Sequence, residues 1–328
     1  MPTFCTYFDH HYLPKALIML ATLRRHCPGA RTHVLCLSEQ CHGVMRELAL
    51  PDVTLWRLDE LEAADPALLA VKSTRGLLEY FWTLTPCLPH WLYRLKPETE
   101  SITYLDADLC FLSDPRVLFS EAPEASVLLM PHNFPERLRH KAEAYGVYNV
   151  SWLTFANTDQ GRACLDWYRE RCLEWCHYAV EDGRMGDQKY LDYFADHFQG
   201  VHPLCHPGAG VAPWNVEAFD YALDAQGRLT VDGQPLIFYH AHAFWQTWWR
   251  FYDPGITSYC PIPPLLRDQV LTPYAVAMHR NAHVGDVKGL LRKEVKAFSP
   301  GLLPQIHRRA RAGELVFANP FLSLGLLP

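Results

Sequence analysis

The stretch that decides the fold of this chain is SITYLDADLCFL, residues 101–112. Its apolar first half predicts a buried strand, and two carboxylates follow where that strand ends. Side chains two residues apart on an extended chain point to the same side, so Asp106 and Asp108 can direct both carboxylates at one point. Placing them between apolar residues is costly unless a cation or hydrogen bonds compensate their charge. We interpret the stretch either as a site for Mg²⁺ or Mn²⁺ or as a surface turn with capping aspartates.

The flanking sequence alternates between strand-like and helix-like segments. The predicted strands are residues 3–7, 32–37, 53–58 and 101–105, and the predicted helices are residues 14–26 and 77–88. This alternation predicts an α/β domain with a mostly parallel central sheet, whose ligands bind beyond the carboxyl ends of the strands. Farther along, residues 160–180 have the pattern of an amphipathic helix, another helix is expected from Gly186, and residues 224–233 predict a hairpin with two turns.

Composition favours a large core and an intracellular setting. The 328 residues are 49% hydrophobic, and a net charge of -6 gives no global electrostatic basis for binding nucleic acid. The 11 cysteines are irregularly spaced, so we expect reduced core residues. Cys172, Cys176 and His177 lack a second matching pair and are interpreted as core residues rather than a zinc site. With no secretory signal and no apolar run of bilayer length, we expect a cytoplasmic protein, soluble or peripheral to the inner face of the membrane.

The segment FDHHYL, residues 8–13, comes directly after the first predicted strand. It is similar to the Asp-x-x-Tyr segment of GT-A glycosyltransferases of the glycogenin and galactosyltransferase-like family, glycosyltransferase family 8. The resemblance extends over residues 3–248. It implies that Asp9 contacts the nucleotide base of a donor and that Tyr12 lies along that base. A helix cap for Asp9 and ordinary packing for Tyr12 are the alternatives.

The segment EYFWTLTP, residues 79–86, occupies the place of the family's Tyr-x-Arg helix. Tyr80 matches and is implied to contact the donor, whereas Trp82 stands where the family has the arginine. Arg75 is the candidate substitute for that cation. The alternative is an ordinary ion pair between Arg75 and Glu79 on one helix face.

Two further segments are similar to family motifs around the donor sugar. In YNVS, Asn149 matches the Asn-Ala-Gly motif and Ser151 replaces its glycine. In GDQ, Asp187 and Gln188 resemble the Asp-Gln pair beside the anomeric carbon, and the resemblance implies a catalytic role. An aspartate before a predicted helix is also a standard N-cap, which is the alternative for Asp187.

The segment IFYHAHAFWQTW, residues 237–248, is similar to the family's His-x-x-Gly-x-x-Lys-Pro-Trp ending. The resemblance implies that His240 is the third protein ligand of the metal, with His242 as the second choice, since both point to one face of an extended segment. A hydrogen-bonded core histidine is the alternative. Upstream, Trp214 and Asn215 match a Trp-Asn element near the floor of the family's active site, or form a structural corner.

Two family positions beside these histidines have changed. Ala243 stands in place of the family glycine and Gln246 in place of the family lysine. The missing lysine removes a charge directed at the departing diphosphate. Arg250 or the metal would then have to supply more of that charge.

Together the motifs imply a GT-A catalytic domain over residues 1–265 and a mainly helical, basic extension over residues 266–328. The implied reaction is a Mg²⁺- or Mn²⁺-dependent transfer of a sugar from a nucleotide-diphosphate donor, a UDP-sugar by the resemblance, to a glycan or lipid-linked acceptor with retention of configuration. Inversion would need a carboxylate base, for which Asp187 is the candidate. Because several family positions differ, a nucleotide-sugar-binding protein without catalysis is the alternative function.

The segment at residues 280–311 is basic and amphipathic. Its basic residues are Arg280, Lys288, Arg292, Lys293, Lys296, Arg308, Arg309 and Arg311. Such a segment can lie on an anionic lipid surface, near a lipid-linked acceptor. The alternative is a solvated helix packed on the catalytic domain.

Two other enzyme classes fit the sequence less well. A haloacid-type phosphatase has its Asp-x-Asp near the N-terminus with Thr or Val two residues on, whereas here the motif is in mid-chain and Cys110 takes that place. A sugar nucleotidyltransferase would carry an N-terminal glycine-rich phosphate loop, which this chain does not have.

Overall fold

The structure, a computed structural model, describes residues 1–282 and 302–319. The strands are β1 Thr3–Phe8, β2 Arg31–Cys36, β3 Val53–Arg57, β4 Ser101–Leu105, β5 Leu109–Phe111, β6 Val127–Pro131, β7 Tyr148–Ala156, β8 Val201–Pro203, β9 Tyr221–Leu223, β10 Leu229–Val231, β11 Gln234–Pro235, β12 Phe238–His240, β13 Trp245–Trp248, β14 Phe251–Asp253 and β15 Val316–Phe317. The α-helices are α1 Leu13–His26, α2 Glu39–Leu48, α3 Leu58–Ala64, α4 Pro66–Val71, α5 Leu77–Leu95, α6 Arg116–Phe119, α7 Lys141–Tyr145, α8 Asp159–Glu174, α9 Phe194–His197, α10 Pro264–Leu266, α11 Thr272–Asn281 and α12 Leu302–Arg311. Short 3₁₀ turns are Lys72–Thr74, Glu136–Leu138, Gln188–Tyr193, Val216–Ala218 and Ile256–Ser258, and Arg267–Leu271 is a π-helical turn.

The chain forms two compact units that alternate along the sequence. The first unit consists of Met1–Phe8, Gly29–Asp106 and Arg116–Cys205. The second consists of Asp9–Pro28, Ala107–Pro115 and the described residues from His206 onward. The sequence-based division at residue 265 stays a prediction.

The first unit is built on a seven-stranded sheet in the order β3-β2-β1-β4-β7-β6-β8. Four of its six strand pairs are parallel, and β7 runs antiparallel to both of its neighbours, β4 and β6. Helices α5 and α8 pack together and contribute to the hydrophobic core that covers the sheet. The predicted α/β fold with a mostly parallel sheet is therefore confirmed.

Strand β4 lies at the centre of this sheet and delivers the Asp-x-Asp motif. Four of its five residues are buried, as expected for a strand covered on both faces. It runs parallel to β1, so both strands end at the same edge of the sheet. Asp106 follows the last residue of β4 directly, at the carboxyl end where ligands of such sheets bind.

Helix α8 is positioned by a close approach at each end. At its start, a Cβ on Gly161 would lie 2.2 Å from the carbonyl oxygen of Ala156, so only glycine allows the helix to leave β7 at this angle. At its end, Arg75 donates to carbonyls of the last turn. The helix ends at Glu174, six residues before the end of the predicted segment at residue 180.

The described part of the second unit contains three small sheets, in the orders β11-β10-β9, β12-β5 and β13-β14-β15. The first contains the predicted hairpin, with turns at residues 226–227 and 232–233, which is confirmed. Helix α1 packs against β5 and α11. Pro14 at the start of α1 and three basic residues in its last turn suit the two ends of the helix.

At the C-terminal end, α12 buries Ile306 and is held by Arg309, which pairs with Asp253 at 2.8 Å and Glu314 at 2.9 Å. Four lysines and arginines of the predicted basic surface lie outside the described residues: Lys288, Arg292, Lys293 and Lys296. Within residues 1–282 and 302–319, every helix is too short or too polar to cross a membrane.

Candidate metal and donor site

The Asp-x-Asp motif lies in the three-residue connection between β4 and β5. Asp106 is fixed by two hydrogen bonds inside the first unit: its N–H donates to the carbonyl oxygen of Ser151 at 3.1 Å, and Tyr104 Oη donates to its Oδ1 at 3.0 Å. Asp108 is only 4% exposed. A carboxylate buried to this degree needs compensation by cations or donors, so the surface-turn alternative does not describe Asp108.

Two side chains of the second unit compensate Asp108. Lys15 Nζ lies 3.3 Å from its Oδ2, and His240 Nε2 lies 3.1 Å from its Oδ1. His240 reaches Asp108 because β12 pairs with β5. In that pairing His240 lies opposite Leu109, the residue after Asp108. Burial alone would raise the pKa of Asp108, but Lys15 and then His240 hold that pKa well below its usual range. Asp108 is therefore ionised.

The two candidate histidines occupy different environments. His240 is 5% exposed, whereas His242 lies beyond the end of β12 and is exposed. Both rings pack edge-on against Trp214, with centroid distances of 5.4 Å and 5.5 Å. The second unit thus brings His240, rather than His242, against Asp108.

The residues at the motif fit a divalent cation. Asp108 Oδ1 and His240 Nε2, both in the second unit, lie 3.1 Å apart. The part of Asp106, which belongs to the first unit, in holding the cation stays a prediction. Oxygen ligands suit Mg²⁺ and Mn²⁺, and an added imidazole is compatible with Mn²⁺ in particular.

Lys15 is the residue of this site that sequence analysis did not identify. It is 2% exposed and donates to the carbonyl oxygen of Ala241 at 3.3 Å as well as to Asp108. Its Nζ lies 4.4 Å from the ring centroid of Trp245 and 5.0 Å from that of Tyr12. Aromatic faces help to compensate a buried ammonium group. The signal that could have found Lys15 is its place among buried neighbours near the start of α1.

Asp9 and Tyr12 lie at the start of α1, in the second unit. Asp9 Oδ1 accepts from the N–H groups of His11 at 3.0 Å and Tyr12 at 3.3 Å, which caps the turn leading into the helix. The ring of Tyr12 packs edge-on against Trp245, 6.3 Å away. These contacts agree with the capping alternative for Asp9 and the packing alternative for Tyr12. The roles of both residues at the donor base stay predictions.

Asp187, in the first unit, lies directly before the 3₁₀ turn that takes the place of the helix expected from Gly186. It is 5% exposed and its side chain makes no capping bond to that turn, so the N-cap alternative does not describe it. Burial raises the pKa of Asp187 to about 7; a hydrogen bond from Thr85 opposes this, and the charge of Asp106 reinforces it. Tyr168 Oη donates to Asp187 Oδ2 at 3.4 Å. A carboxyl group with this pKa can accept or donate a proton near neutral pH.

Asn149 is connected to Asp106 of the Asp-x-Asp motif by hydrogen bonds through Ser151. It is 2% exposed, and its Oδ1 accepts from both the N–H and the Oγ of Ser151. The carbonyl oxygen of Ser151 accepts the N–H of Asp106. Elsewhere in the same unit, Gln188 Nε2 donates to the carbonyl oxygen of Tyr145 at 2.7 Å.

Arg75 and Tyr80 make structural contacts in the first unit. Arg75 Nη2 donates to the carbonyl oxygens of Cys172 at 3.1 Å and Leu173 at 2.8 Å, at the end of α8. Tyr80 is 2% exposed and donates from Oη to Glu62 at 2.8 Å. The roles of Arg75 and Tyr80 at the donor stay predictions.

Two neighbours of these residues also differ from expectation. Glu79 accepts from the N–H groups of Gly76 at 2.7 Å and Tyr178 at 2.8 Å, rather than serving mainly as an ion-pair partner of Arg75. Trp82 packs against Gly186, where a Cβ would lie 3.0 Å from the indole ring and φ is +53°. The indole ring of Trp82, rather than a cation, therefore lies against Gly186, the residue before Asp187.

In the second unit, Asn215 forms a structural corner. It is fully buried, its Oδ1 accepts from Ala212 N–H at 2.8 Å, and its Nδ2 donates to the carbonyl oxygen of Gly210 at 3.0 Å. The corner places the neighbouring ring of Trp214 against both histidines.

The changed family positions have visible local consequences. Ala243 has φ +55°, so the place of the family glycine keeps a left-handed backbone here. Gln246 Nε2 donates to the carbonyl oxygen of Trp249. Arg250 Nε donates to the carbonyl oxygen of Ala318 at 2.7 Å, which ties it to the end of β15. Lys15, and not Arg250, is the buried cation beside Asp108.

Comparison with known proteins finds two relatives in Bacillus subtilis (strain 168). The uncharacterized protein YfnF is 34% identical over 244 residues, 72% of this chain and 80% of YfnF. The uncharacterized protein YfnD is 32% identical over 243 residues, 74% of this chain and 77% of YfnD. No model of a known protein family matches the chain.

Solved structures similar to this chain include two glycosyltransferases. Mouse xyloside xylosyltransferase 1 aligns over 74% of this chain and 97% of its own, with 15% identity and a TM-score of 0.48. The galactosyltransferase LgtC, solved with donor and acceptor sugar analogs, aligns over 92% and 99%, with 14% identity and a TM-score of 0.48. By its sequence identity over most of both relatives, this chain belongs to the family of YfnF and YfnD.

Proposed function

We propose that this chain is a metal-dependent glycosyltransferase that moves a sugar from a nucleotide-diphosphate donor, a UDP-sugar in this proposal, to a glycan or lipid-linked acceptor. The observation that carries the proposal is the almost fully buried carboxylate of Asp108, held between His240 and Lys15 just beyond the central strand. A buried carboxylate that cationic side chains hold at the carboxyl end of a central strand is a candidate functional group.

Asp106, Asp108 and His240 would hold Mg²⁺ or Mn²⁺, which when bound supplies a Lewis acid for the negative charge that develops on the diphosphate oxygens. The chain's own groups prepare the site. Asp108 is already ionised, so it needs no proton loss before it binds a cation. Ser151 and Tyr104 fix Asp106 in place, which limits the reorganisation that ligand binding requires.

The other proposed roles follow the family resemblance. Asp187 and Gln188 are assigned to the reacting sugar. The residues that we assign to binding of the donor are Asp9, Tyr12, Arg75, Tyr80, Asn149, Trp214, Asn215 and His242. We favour retention of configuration, and under that proposal the carboxyl of Asp187, with its pKa near 7, stabilises the sugar or shares a proton with the acceptor hydroxyl rather than acting as an obligatory base.

A panel of nucleotide sugars tests the proposal. We expect one donor to raise the Tm only when Mn²⁺ is present, because a ligand that binds the folded state stabilises it by mass action. Asp108→Asn should abolish this Mn²⁺-dependent shift, whereas Asp268→Asn, an exposed carboxylate of the same unit, should not. If no donor in the panel stabilises the protein in an Mn²⁺-dependent way, the proposal is wrong. Proton NMR of the first product formed then reads the anomeric configuration, for which we expect retention.

The second candidate is a nucleotide-sugar-binding protein that does not transfer the sugar. Gln246 favours it, because a neutral amide bound to a backbone carbonyl stands where the family has a lysine for the departing diphosphate. Mn²⁺-dependent donor binding without donor hydrolysis or transfer to any acceptor would support this candidate over the enzyme.

A further inference from the structure

A second cluster of metal-binding side chains lies in the first unit, at the edge strand β8. It consists of Glu121, His202 and Cys205, whose ligand atoms all lie within 4.8 Å of one another. Glu121 follows α6, His202 is the middle residue of β8, and Cys205 comes two residues after that strand. Sequence analysis did not predict the cluster, since more than 80 residues separate Glu121 from the other two.

The three side chains are already partly organised around Glu121. Its Oε2 accepts the N–H of Cys205 at 2.8 Å and lies 3.6 Å from Nε2 of His202. Within the described chain, that imidazole nitrogen is buried and has no hydrogen-bond partner, although a third of the side chain is exposed. A buried ring nitrogen next to a carboxylate oxygen and a thiol is a strong position for a metal ligand.

Cys205 is also the cysteine that core packing does not explain. Nine of the 11 cysteines are buried and Cys260 is half-buried, whereas Cys205 is exposed. Its thiol donates to the carbonyl oxygen of Pro203 at 3.4 Å, a weak bond that a metal can replace.

The chemistry of the three ligands selects zinc. A thiolate, an imidazole and a carboxylate are all common zinc ligands, and the thiolate disfavours Mg²⁺ and Ca²⁺. Zinc bonds of about 2.0–2.3 Å place tetrahedral ligand atoms about 3.5 Å apart, so small rotations of the three side chains suffice. Water would supply the fourth ligand. Binding converts the Cys205 thiol to a thiolate, and its proton is released to solvent.

We propose that Glu121, His202 and Cys205 form a zinc site that fastens the edge strand β8 to the segment after α6. Strand β8 is three residues long and, among the residues that the structure describes, pairs with β6 alone. Short edge strands have few hydrogen bonds to hold them. A metal that joins His202 and Cys205 to Glu121 therefore stabilises this edge of the sheet, independently of the Asp108 site and of the proposed transferase activity.

Co²⁺ can be used to detect the site, because the thiolate of Cys205 is one of its ligands. Co²⁺ added to the reduced full-length chain should produce a thiolate-to-cobalt charge-transfer absorption that saturates at one equivalent and disappears when Zn²⁺ is added. The Asp106, Asp108 and His240 site has no sulfur ligand, so metal bound there cannot produce this signal. Cys205→Ser should abolish the absorption, whereas Cys260→Ser should retain it. Absence of the signal in the unaltered protein, or its persistence in Cys205→Ser, would overturn the proposal.

A zinc titration against a chromophoric chelator gives a second measurement. Glu121→Gln and His202→Gln keep the thiol and should each weaken zinc binding at least about 10-fold. Zinc should raise the Tm of the unaltered protein and of Cys260→Ser by more than that of Cys205→Ser, which keeps only the carboxylate and imidazole site. Because Cys205 is exposed, serine is accommodated without repacking, and circular dichroism checks that the variant is folded. An equal zinc-induced shift in Cys205→Ser would contradict the assignment.

Discussion

Lys15 places its ammonium group 3.3 Å from the carboxylate of Asp108, although both side chains are almost completely buried. The lysine comes from α1 and the aspartate from the Asp-x-Asp motif, 93 residues later. Taking both charges out of water has a large desolvation cost, which their attraction and the nearby carbonyl of Ala241 only partly offset. Lys15 therefore acts as a tethered cation at the carboxylate that we assign to the metal.

Replacing this tethered cation should have two opposite effects. Lys15→Met leaves Asp108 without its cation, so the free energy of unfolding of the metal-free protein should fall by about 3–5 kcal/mol. It also removes a competitor for Asp108, so Mn²⁺ affinity should rise at least about 10-fold. Chemical denaturation and isothermal titration calorimetry measure the two effects.

The matched control is Lys72→Met. Lys72 pairs with Glu62 at 2.6 Å, but nearly half of its side chain is exposed, so its loss should change stability by less than about 1 kcal/mol and leave Mn²⁺ affinity unchanged. Competition by Lys15 is ruled out if Lys15→Met binds Mn²⁺ no more tightly than the unaltered protein.

Asp187 should make the stability of the protein depend on pH. Burial raises the pKa of Asp187 to about 7 from an ordinary value near 3.8. Between these values the folded chain holds a proton that the unfolded chain has lost, so this group lowers the free energy of unfolding as pH rises from about 4 to about 7. Asp187→Asn should therefore be more stable than the unaltered protein at pH 8, by at most about 4 kcal/mol.

Denaturant unfolding at several pH values measures this effect. The advantage of Asp187→Asn should shrink as pH falls toward 4, where the native carboxyl is protonated and resembles the amide. Asp268→Asn, at an exposed position, should show no such trend. A difference between Asp187→Asn and the unaltered protein that is constant over the whole pH range would contradict the raised pKa.

Sequence analysis predicted those parts of the fold and of the site that depend on the spacing of residues close together in the sequence. The alternation of strands and helices predicted the mostly parallel sheet, and the apolar run that ends at Leu105 predicted the buried strand β4 directly before Asp106. Pairing of His240 with Asp108 needed the family resemblance, because β12 meets β5 only through tertiary structure.

What spacing could not reveal depends on burial and on contacts distant in sequence. Lys15 looks like an ordinary helical lysine until the fold buries it. Arg75 was assigned to the donor, yet the end of α8, about 100 residues away, gives it two carbonyl partners. The three ligands of the proposed zinc site are likewise gathered by the pairing of β8 with β6.

Ala243 should be replaceable by glycine with a gain in stability. Its φ of +55° is strained for a residue with a Cβ, by about 1–2 kcal/mol, whereas glycine adopts it freely. The greater entropy of glycine in the unfolded chain offsets about half of that relief, so Ala243→Gly should raise the free energy of unfolding by about 0.5–1 kcal/mol. Ala163→Gly, at an exposed position inside α8, should instead lower it by about 1 kcal/mol. Equal destabilisation by both changes would argue against strain at Ala243.

The variant Arg75→Met distinguishes a structural role of this arginine from a role in binding the donor. Arg75 Nη2 satisfies two carbonyl oxygens that the end of α8 would otherwise leave unpaired, and hydrogen bonds from a charged donor contribute about 1.5–3 kcal/mol each. Arg75→Met should therefore lower the free energy of unfolding by about 2 kcal/mol or more. Arg94→Met removes a single exposed bond to the carbonyl oxygen of Ala64 and should cost less than about 1 kcal/mol. If Arg75→Met leaves stability unchanged but weakens donor binding, the guanidinium belongs to the donor site and not to the end of α8.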